Sequence, residues 1–404
     1  MKTQRQILAA INFVALLFSL LNPSTSNWLY LGLIGVPNSR DVRDVSNSCQ
    51  LSGLNALQST LCMQQPTLMP FVGYGARSAI IECKLQMRYD RWNCTTAPVE
   101  NDTATELFGA TMRSANQEAA FLQAISSSAL VYEITRACSS GNLTFCGCDN
   151  SIGSTATAEP NTLSTEWARS HPQLAASSGM SQFAGGTGTS GNGGGSKRWL
   201  WTGCSDDIRY GAKFSVRFLD LYEKRMHGRT SSRKYSGHLM TLHNYEAGRR
   251  AVGAQMRIQC RCHGVSGSCE LKTCWRSMAK LSAIGSYLKS RYRTAVRVKR
   301  RSKRKLRRRQ KTERHVRIRN DQLVYINESP TYCEPIESHG VLGTRGRTCN
   351  ATSYGPDGCS ELCCGRGFDT RVEHTTIACK CKFVWCCRVD CQQCPHTQDV
   401  HTCK

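Results

Sequence analysis

Twenty-four cysteines in 404 residues, an even number, constrain this chain more than any other feature. So many thiols persist as structural bridges only in an oxidising compartment, so the chain is expected to be secreted and its fold to be held by disulfides. The most informative group is Cys260, Cys262, Cys269 and Cys274, set around Gly264 and Gly267 with Ser266 and Ser268 inside the inner pair. If Cys260 closes on Cys274 and Cys262 on Cys269, the segment becomes a stapled hairpin with Ser266 near its tip. Chain-entropy arithmetic gives the outer loop roughly 3 kcal/mol, which favours a rigid display of that serine for modification or recognition.

The amino end agrees with export. Lys2 and Arg5 precede an apolar run from Ile7 to Leu21, and Ser24 and Ser26 are small residues placed for cleavage before Asn27. This is the pattern of a signal peptide, residues 1–26, and the run is too short for a membrane anchor. No later stretch is apolar enough to span a bilayer.

Secretion decides what the net charge of +24 can mean. Outside the cell the abundant polyanions are sulfated glycosaminoglycans, so heparan sulfate, and not nucleic acid, is the expected partner. From Arg291 to Arg319 sixteen Lys or Arg face Glu313 alone, which puts +15 of the +24 in one stretch. The run reads as an exposed, self-repelling linker over residues 291–320. A polyanion contact there would weaken steeply with salt. A third reading is proprotein-convertase cleavage within Arg297, Val298, Lys299, Arg300 or Arg301, Ser302, Lys303, Arg304.

Residues 27–290 are punctuated as helices. Ala119, Leu122, Ile125, Ala129 and Tyr132 recur at helical spacing before Cys138, with Gly141 to stop the helix. Ile208, Gly211, Phe214, Phe218 and Leu221 repeat the pattern, with Ser205 as cap and Asp206 and Asp207 in the first turn. A further helix is expected after Asn244. Within this region residues 151–196 shift to Ser, Gly, Thr and Ala without a cysteine, the composition of a flexible insertion. After Asp321 twelve cysteines fall in the last stretch of chain, and Cys379, Cys381, Phe383 and Trp385 alternate with Lys380, Lys382 and Val384 as in a strand. Residues 321–404 should be a small β-hairpin domain that relies on bridges. The fold class is therefore α+β and disulfide-rich.

Several motifs invite chemistry. The close pairs Cys146/Cys148, Cys260/Cys262 and Cys379/Cys381 have one residue between them, which is tight for a tetrahedral zinc site, so bridges are expected and no metal. Gly264, Val265, Ser266, Gly267 approaches a hydrolase nucleophile elbow, yet Ser268 stands where its last glycine belongs and no His and Asp partners are identifiable. Ser266 is therefore expected to be a substrate for modification, and the chain is not expected to be an enzyme. N-glycosylation sequons occur at Asn93, Asn101, Asn142, Asn327 and Asn350; Asn93 adjoins Cys94, and the Asn327 sequon is followed by Pro330.

The stapled segment resembles the signature of the Wnt family of secreted, lipid-modified signalling glycoproteins. Similar blocks run from Arg91 to Cys94, Arg136 to Gly141, Cys146 to Asp149, Trp201 to Asp206, His243 to Arg249, Gly340 to Cys349, Cys363 to Phe368 and Lys380 to Cys387. The resemblance implies bridges Cys49–Cys62, Cys83–Cys94, Cys138–Cys146, Cys148–Cys204, Cys260–Cys274 and Cys262–Cys269. In the tail it implies Cys333–Cys364, Cys349–Cys359, Cys363–Cys403, Cys379–Cys394, Cys381–Cys391 and a vicinal Cys386–Cys387.

It further implies a helical amino-terminal domain whose "thumb" hairpin carries a palmitoleoyl group on Ser266, and a cysteine-rich carboxy-terminal domain ending in an "index finger" tipped by Phe383, Val384, Trp385, Cys386 and Cys387. Receptor contact would come from Val265, Ser266, Gly267 and that tip, meeting the cysteine-rich domain of Frizzled. A sixteen-carbon chain buried at about 0.8 kcal/mol per methylene gains on the order of 10 kcal/mol before ordering costs. The resemblance also implies Porcupine as acyltransferase, Wntless as carrier, Notum as deacylase and LDL-receptor-related or other co-receptors, and it places the product in the extracellular matrix and at the cell surface. Against it stand two other classes, a matrix protein that only binds heparin through residues 291–319 and a secreted hydrolase using Ser266.

Overall fold

In a computed structural model the structure describes residues 27–35, 49, 53–95, 108–149, 199–201, 203–227, 232–269, 271–302, 305–336 and 341–404. The signal peptide, the Ser/Gly-rich insertion and Asn101 lie outside the described residues. The chain forms two compact units, one of Met1–Cys83 with Asn101–Glu328, the other of Lys84–Glu100 with Ser329–Lys404.

The first unit is helical. Asn55 caps α1 (Ala56–Gln64): its side chain accepts from the Leu57 and Gln58 amides at 3.1 and 3.0 Å, and Gln58 reaches back to the Asn55 amide. Helix α2 is Met69–Met87. The centre is α3 (Gln117–Ser139), begun by Asn116, which accepts from the Ala119 amide at 2.9 Å. Its end follows the expectation: the cap is Ser140, and Gly141 turns the chain at φ +75°. Phe121, Leu122, Ile125, Leu130 and Ile134 are all fully buried, so α3 is covered on nearly every side.

Helix α4 (Ile208–Ser215) continues through a π turn, Val216–Asp220, into Leu221–His227. Its cap is Asp207, which accepts from the Arg209 amide at 2.9 Å. Ser205, the residue expected to cap it, is buried and accepts instead from the Arg276 amide at 3.1 Å. Leu221 points to solvent although the helical spacing placed it in the core. Helix α5 (Ser232–Ala254) begins well before Asn244, which lies fully buried in its interior. The sequence reading stopped short because an asparagine there looked like a cap; its side chain is used in tertiary contacts.

Two glycines set how closely the helices approach α3. A Cβ on Gly248 would lie 2.1 Å from the Ala124 carbonyl oxygen, and one on Gly211 would lie 2.7 Å from Thr135 Oγ1. At the first crossing the Ser127 hydroxyl spans to the Tyr245 carbonyl at 2.8 Å. Helix α6 (Leu281–Arg293) also packs on α3.

Three sheets complete the fold. In the first, β1 (Trp199–Trp201) runs parallel to β3 (Leu271–Ser277), which pairs antiparallel with β2 (Arg257–His263). In the second, β4 (Val296–Ser302) lies between β5 (Lys305–Arg308) and β6 (Val324–Tyr325). The basic run, expected to be an exposed linker, is thus part of the first unit. Val296 and Val298 alternate with Arg297 and Lys299, and both valines are buried while the cations turn outward. Counting charge alone hides that period of two. Asn244 fastens this sheet to α5, donating to the Val324 carbonyl at 3.0 Å and accepting from its amide at 2.9 Å.

The second unit holds the third sheet, with β7 (Thr348–Cys349), β9 (Arg388–Cys403) and β8 (Phe368–Val384) in that spatial order. Its small core is Cys359, Leu362, Cys363 and Cys403. Arg347 ties the segment around Arg91 to it, donating to the Arg88 and Arg91 carbonyls at 2.9 and 2.8 Å. A core this small needs its cross-links.

Candidate functional site

The strands β2 and β3 form the hairpin that the four cysteines suggested. Cys260 sits directly opposite Cys274 and the two are bridged; Cys262 is bridged to Cys269 nearer the tip. His263 closes the ladder opposite Leu271, and its Nε2 lies 2.8 Å from Thr273 Oγ1 on the partner strand. Both faces of β2 are exposed. Strand β2 and the tip therefore stand clear of the helices, while Cys274 on β3 is buried at the base.

Its tip is built for display. Gly264 enters fully extended, and a Cβ there would lie 2.2 Å from Ser268 Oγ, so only glycine fits. A single 3-10 turn, Val265–Gly267, follows, closed by the Ser268 amide on the Val265 carbonyl at 3.1 Å. Ser266 occupies the left-handed region at φ +57°, ψ +29°, which an L side chain adopts at a cost. Ser266 is exposed beside Val265, which is 81 % exposed.

The second unit presents a different feature. Strands β8 and β9 make a long ribbon exposed along most of its length, cross-linked by Cys379–Cys394 and Cys381–Cys391 and bulged between Cys379 and Lys382. At its end Phe383 is 70 % and Trp385 91 % exposed, with Val384 and Val389 beside them. An apolar tip of that kind is a liability unless something covers it.

Most remaining cysteines meet in pairs: Cys49–Cys62, Cys138–Cys146, Cys148–Cys204, Cys333–Cys364, Cys349–Cys359 and Cys363–Cys403. Cys83 and Cys94 are disulfide-bonded as well. The vicinal Cys386–Cys387 bridge is the exception. Both are free thiols with their sulfurs 3.8 Å apart, because two successive left-handed residues, φ +67° and +83°, turn the chain at the tip and leave the side chains apart. Cys349, Cys363 and Cys403 bring three sulfurs within 4.8 Å of one another, yet all three are spent in bridges and offer no thiolate to a metal.

The basic stretch is a charged surface. Lys299 sits opposite Arg307 on the paired strand, and surrounding cations, Arg314 foremost, hold its ammonium below the ordinary lysine range. Arg308 is neutralised by Glu313 at 2.9 Å and Arg291 by Asp321 at 3.0 Å. Of the sequons, Asn142 and Asn350 are exposed, whereas Asn327 donates its amide to the Ser114 carbonyl at 2.7 Å and Asn93 Oδ1 accepts from Thr95.

Sequence reasoning missed two features around the hairpin. Strand β1, which extends the hairpin sheet, was detectable as the apolar triplet Trp199, Leu200, Trp201 following the glycines. A cleft at the hairpin base brings Tyr132 and Arg136 of α3 to Trp275 and Met278, and nothing in local sequence links those segments.

The model of the wnt family matches residues 50–404. The chain belongs to the Wnt family. It is 41 % identical to Protein Wnt-16 of Bos taurus over 381 residues, covering 94 % of this chain and 92 % of the relative. Protein Wnt-2b of Homo sapiens is 40 % identical, with 94 % and 83 % covered, and Protein Wnt-5a of Xenopus laevis 38 %, with 97 % and 93 % covered. Among solved structures, the complex of human WLS with WNT8A matches at a TM-score of 0.54 and 31 % identity, over 89 % of this chain and 99 % of that one. The Wnt relatives are secreted signalling ligands, and this Wnt chain shares their disulfide-rich α+β fold. No helix among the described residues is long and apolar enough to cross a membrane.

Proposed function

We propose that this chain is a secreted ligand whose Ser266 carries a palmitoleoyl ester, and that the acyl chain and the finger tip together engage the cysteine-rich domain of a Frizzled receptor. The observation that carries this reading is the left-handed, exposed Ser266 at the apex of a twice-bridged hairpin. Such an apex offers its hydroxyl to an acyltransferase, Porcupine in this reading, and afterwards holds the ester away from the protein surface. The exposed Phe383 and Trp385 supply a second apolar contact. Among the described residues His263, the histidine nearest in sequence, lies against Thr273, which supports reading Ser266 as a substrate and the chain as a ligand.

An exposed sixteen-carbon chain would be unstable in water, which is why a carrier is part of the reading. The WNT8A of the solved complex is bound to WLS, and the same carrier, Wntless, is proposed here. Notum would remove the acyl group. LDL-receptor-related or other co-receptors complete the receptor side. The outward cations of β4 and β5 would hold the secreted protein near heparan sulfate, since crowding that depresses Lys299 is relieved by a bound polyanion.

The test is Ser266→Ala beside Ser268→Ala, both secreted from animal cells fed an alkynyl fatty acid. Label and Frizzled binding should vanish in the first and persist in the second. Equal Frizzled binding by the Ser266→Ala protein would refute the mechanism.

A further inference from the structure

The cleft at the base of the hairpin, about 390 Å³, is lined by Tyr132, Arg136, Ser139, Ser140, Trp275 and Met278 among others. Its lining mixes two aromatic rings with hydroxyls, a guanidinium and the Asp206 carboxylate, which accepts from the Ser139 hydroxyl. Arg136 is exposed and has no acidic partner among the described residues, and burial raises the Tyr132 phenol despite that cation. Aromatic faces set beside short hydroxyls and a planar donor fork suit a pyranose ring, whose C–H face stacks on an indole while its hydroxyls and acetamido group take the hydrogen bonds.

The chain itself brings a sugar to this place. Gly141, at φ +75°, folds Asn142 back so that its amide meets the Ala137 carbonyl at 3.0 Å, and its Nδ2 donates to Ser140 Oγ at 2.9 Å. Ser140 lines the cleft. Asn142, Leu143 and Thr144 form a sequon in which Leu143 is buried and anchors the segment, while Asn142 and Thr144 are exposed. Glycosyl transfer makes the Nδ2–C1 bond, breaks the sugar–diphosphate bond of a lipid-linked donor and releases one Nδ2 proton. One N–H remains on Nδ2 to donate, and the contact with Ser140 sets the attachment point beside the cleft.

We infer that the cleft is a docking site for the N-acetylglucosamine core of a glycan on Asn142, seated on Trp275 and held by Arg136. The inference rests on the glycoprotein part of the proposed function and is independent of Ser266 and of any receptor. Because Trp275 follows Cys274 at the foot of β3, a docked sugar would stiffen the root of the displayed hairpin.

The experiment uses the full-length protein from animal cells. Glycopeptide mass spectrometry reads occupancy at Asn142, and hydrogen exchange of the segments 132–140 and 272–278 is compared for the glycosylated protein, the enzymatically deglycosylated protein and Thr144→Ala. Protection of both segments should be lost when the glycan is removed by either route, and Trp275→Phe should abolish most of the difference. The inference is overturned if Asn142 is unmodified or if exchange is the same with and without the glycan.

Discussion

Arg249 of α5 grips Asp220 through two parallel hydrogen bonds, 2.9 and 3.0 Å long, with both side chains almost wholly buried. The pair joins α5 to the π turn that follows α4. Burial pushes the Asp220 carboxyl up, and Arg249 opposes that shift. Replacing Arg249 with methionine leaves the buried Asp220 carboxylate with only the more distant Lys224 ammonium, 3.8 Å away, so the variant should lose about 3 kcal/mol at neutral pH. A carboxyl whose folded pKa is raised contributes stability at low pH that is lost as pH rises through the folded value. The deficit should therefore shrink in acid, as read by denaturant unfolding at several pH values.

His243 predicts the opposite slope. It is part-buried, its Nε2 donates to the Gln322 carbonyl at 2.9 Å, and desolvation lowers its pKa despite that bond. A neutral folded ring contributes stability above the unfolded value of about 6.5 that is lost as pH falls toward the folded one. Unfolding midpoints should decline from about pH 6.5 downward, and His243→Gln, which can keep a donor, should flatten that decline.

The inner bridge of the hairpin should matter more for modification than for survival of the fold. Cys262→Ser with Cys269→Ser opens a loop worth about 2 kcal/mol of chain entropy, in a hairpin whose strand β2 is exposed on both faces. Secretion should continue while acyl labelling of Ser266 falls, since the serine then samples many conformations. Undiminished labelling would show that the apex needs no staple.

Trp385→Ala should weaken Frizzled binding by about 2 kcal/mol and leave thermal stability unchanged, because the ring is 91 % exposed and holds nothing in place. Surface binding and calorimetry on the same preparation separate the two effects.

The convertase motif ending at Arg300 lies in β4, paired on both sides, with Val298 0 % exposed. A protease that needs an extended, accessible segment cannot take it from the folded sheet. Folded protein should stay intact at this motif on incubation with a furin-type convertase, and reduced, unfolded protein should be cut. Cleavage of the folded form at Arg300 would show that this sheet opens.

The stapled hairpin, the central helix and the terminal ribbon were readable because each depends on short-range information. Four cysteines at fixed spacing make a hairpin, the stripe from Ala119 to Tyr132 makes a buried helix, and alternation from Cys379 to Trp385 makes a strand. The pairing of distant cysteines came from family resemblance, since spacing leaves many connectivities open. The errors share a cause. Ser205 looked like a cap and Asn244 like a helix start because both are good capping residues; each spends its side chain on a segment some seventy or eighty residues away. The basic run looked unstructured because charge was weighed and the two buried valines were not.

Read alone, the chain of residues carried the cross-linked apex and the family, because cysteine spacing and apolar periodicity are written locally. Tertiary structure alone decided that Arg297, Lys299, Arg300 and Arg307 ride on a sheet, that Arg249 and Asp220 pair in the core, and that Trp275, Tyr132 and Arg136 line one cleft. Those relations join segments far apart in sequence, and no local pattern encodes which buried surfaces will meet when the helices close on α3.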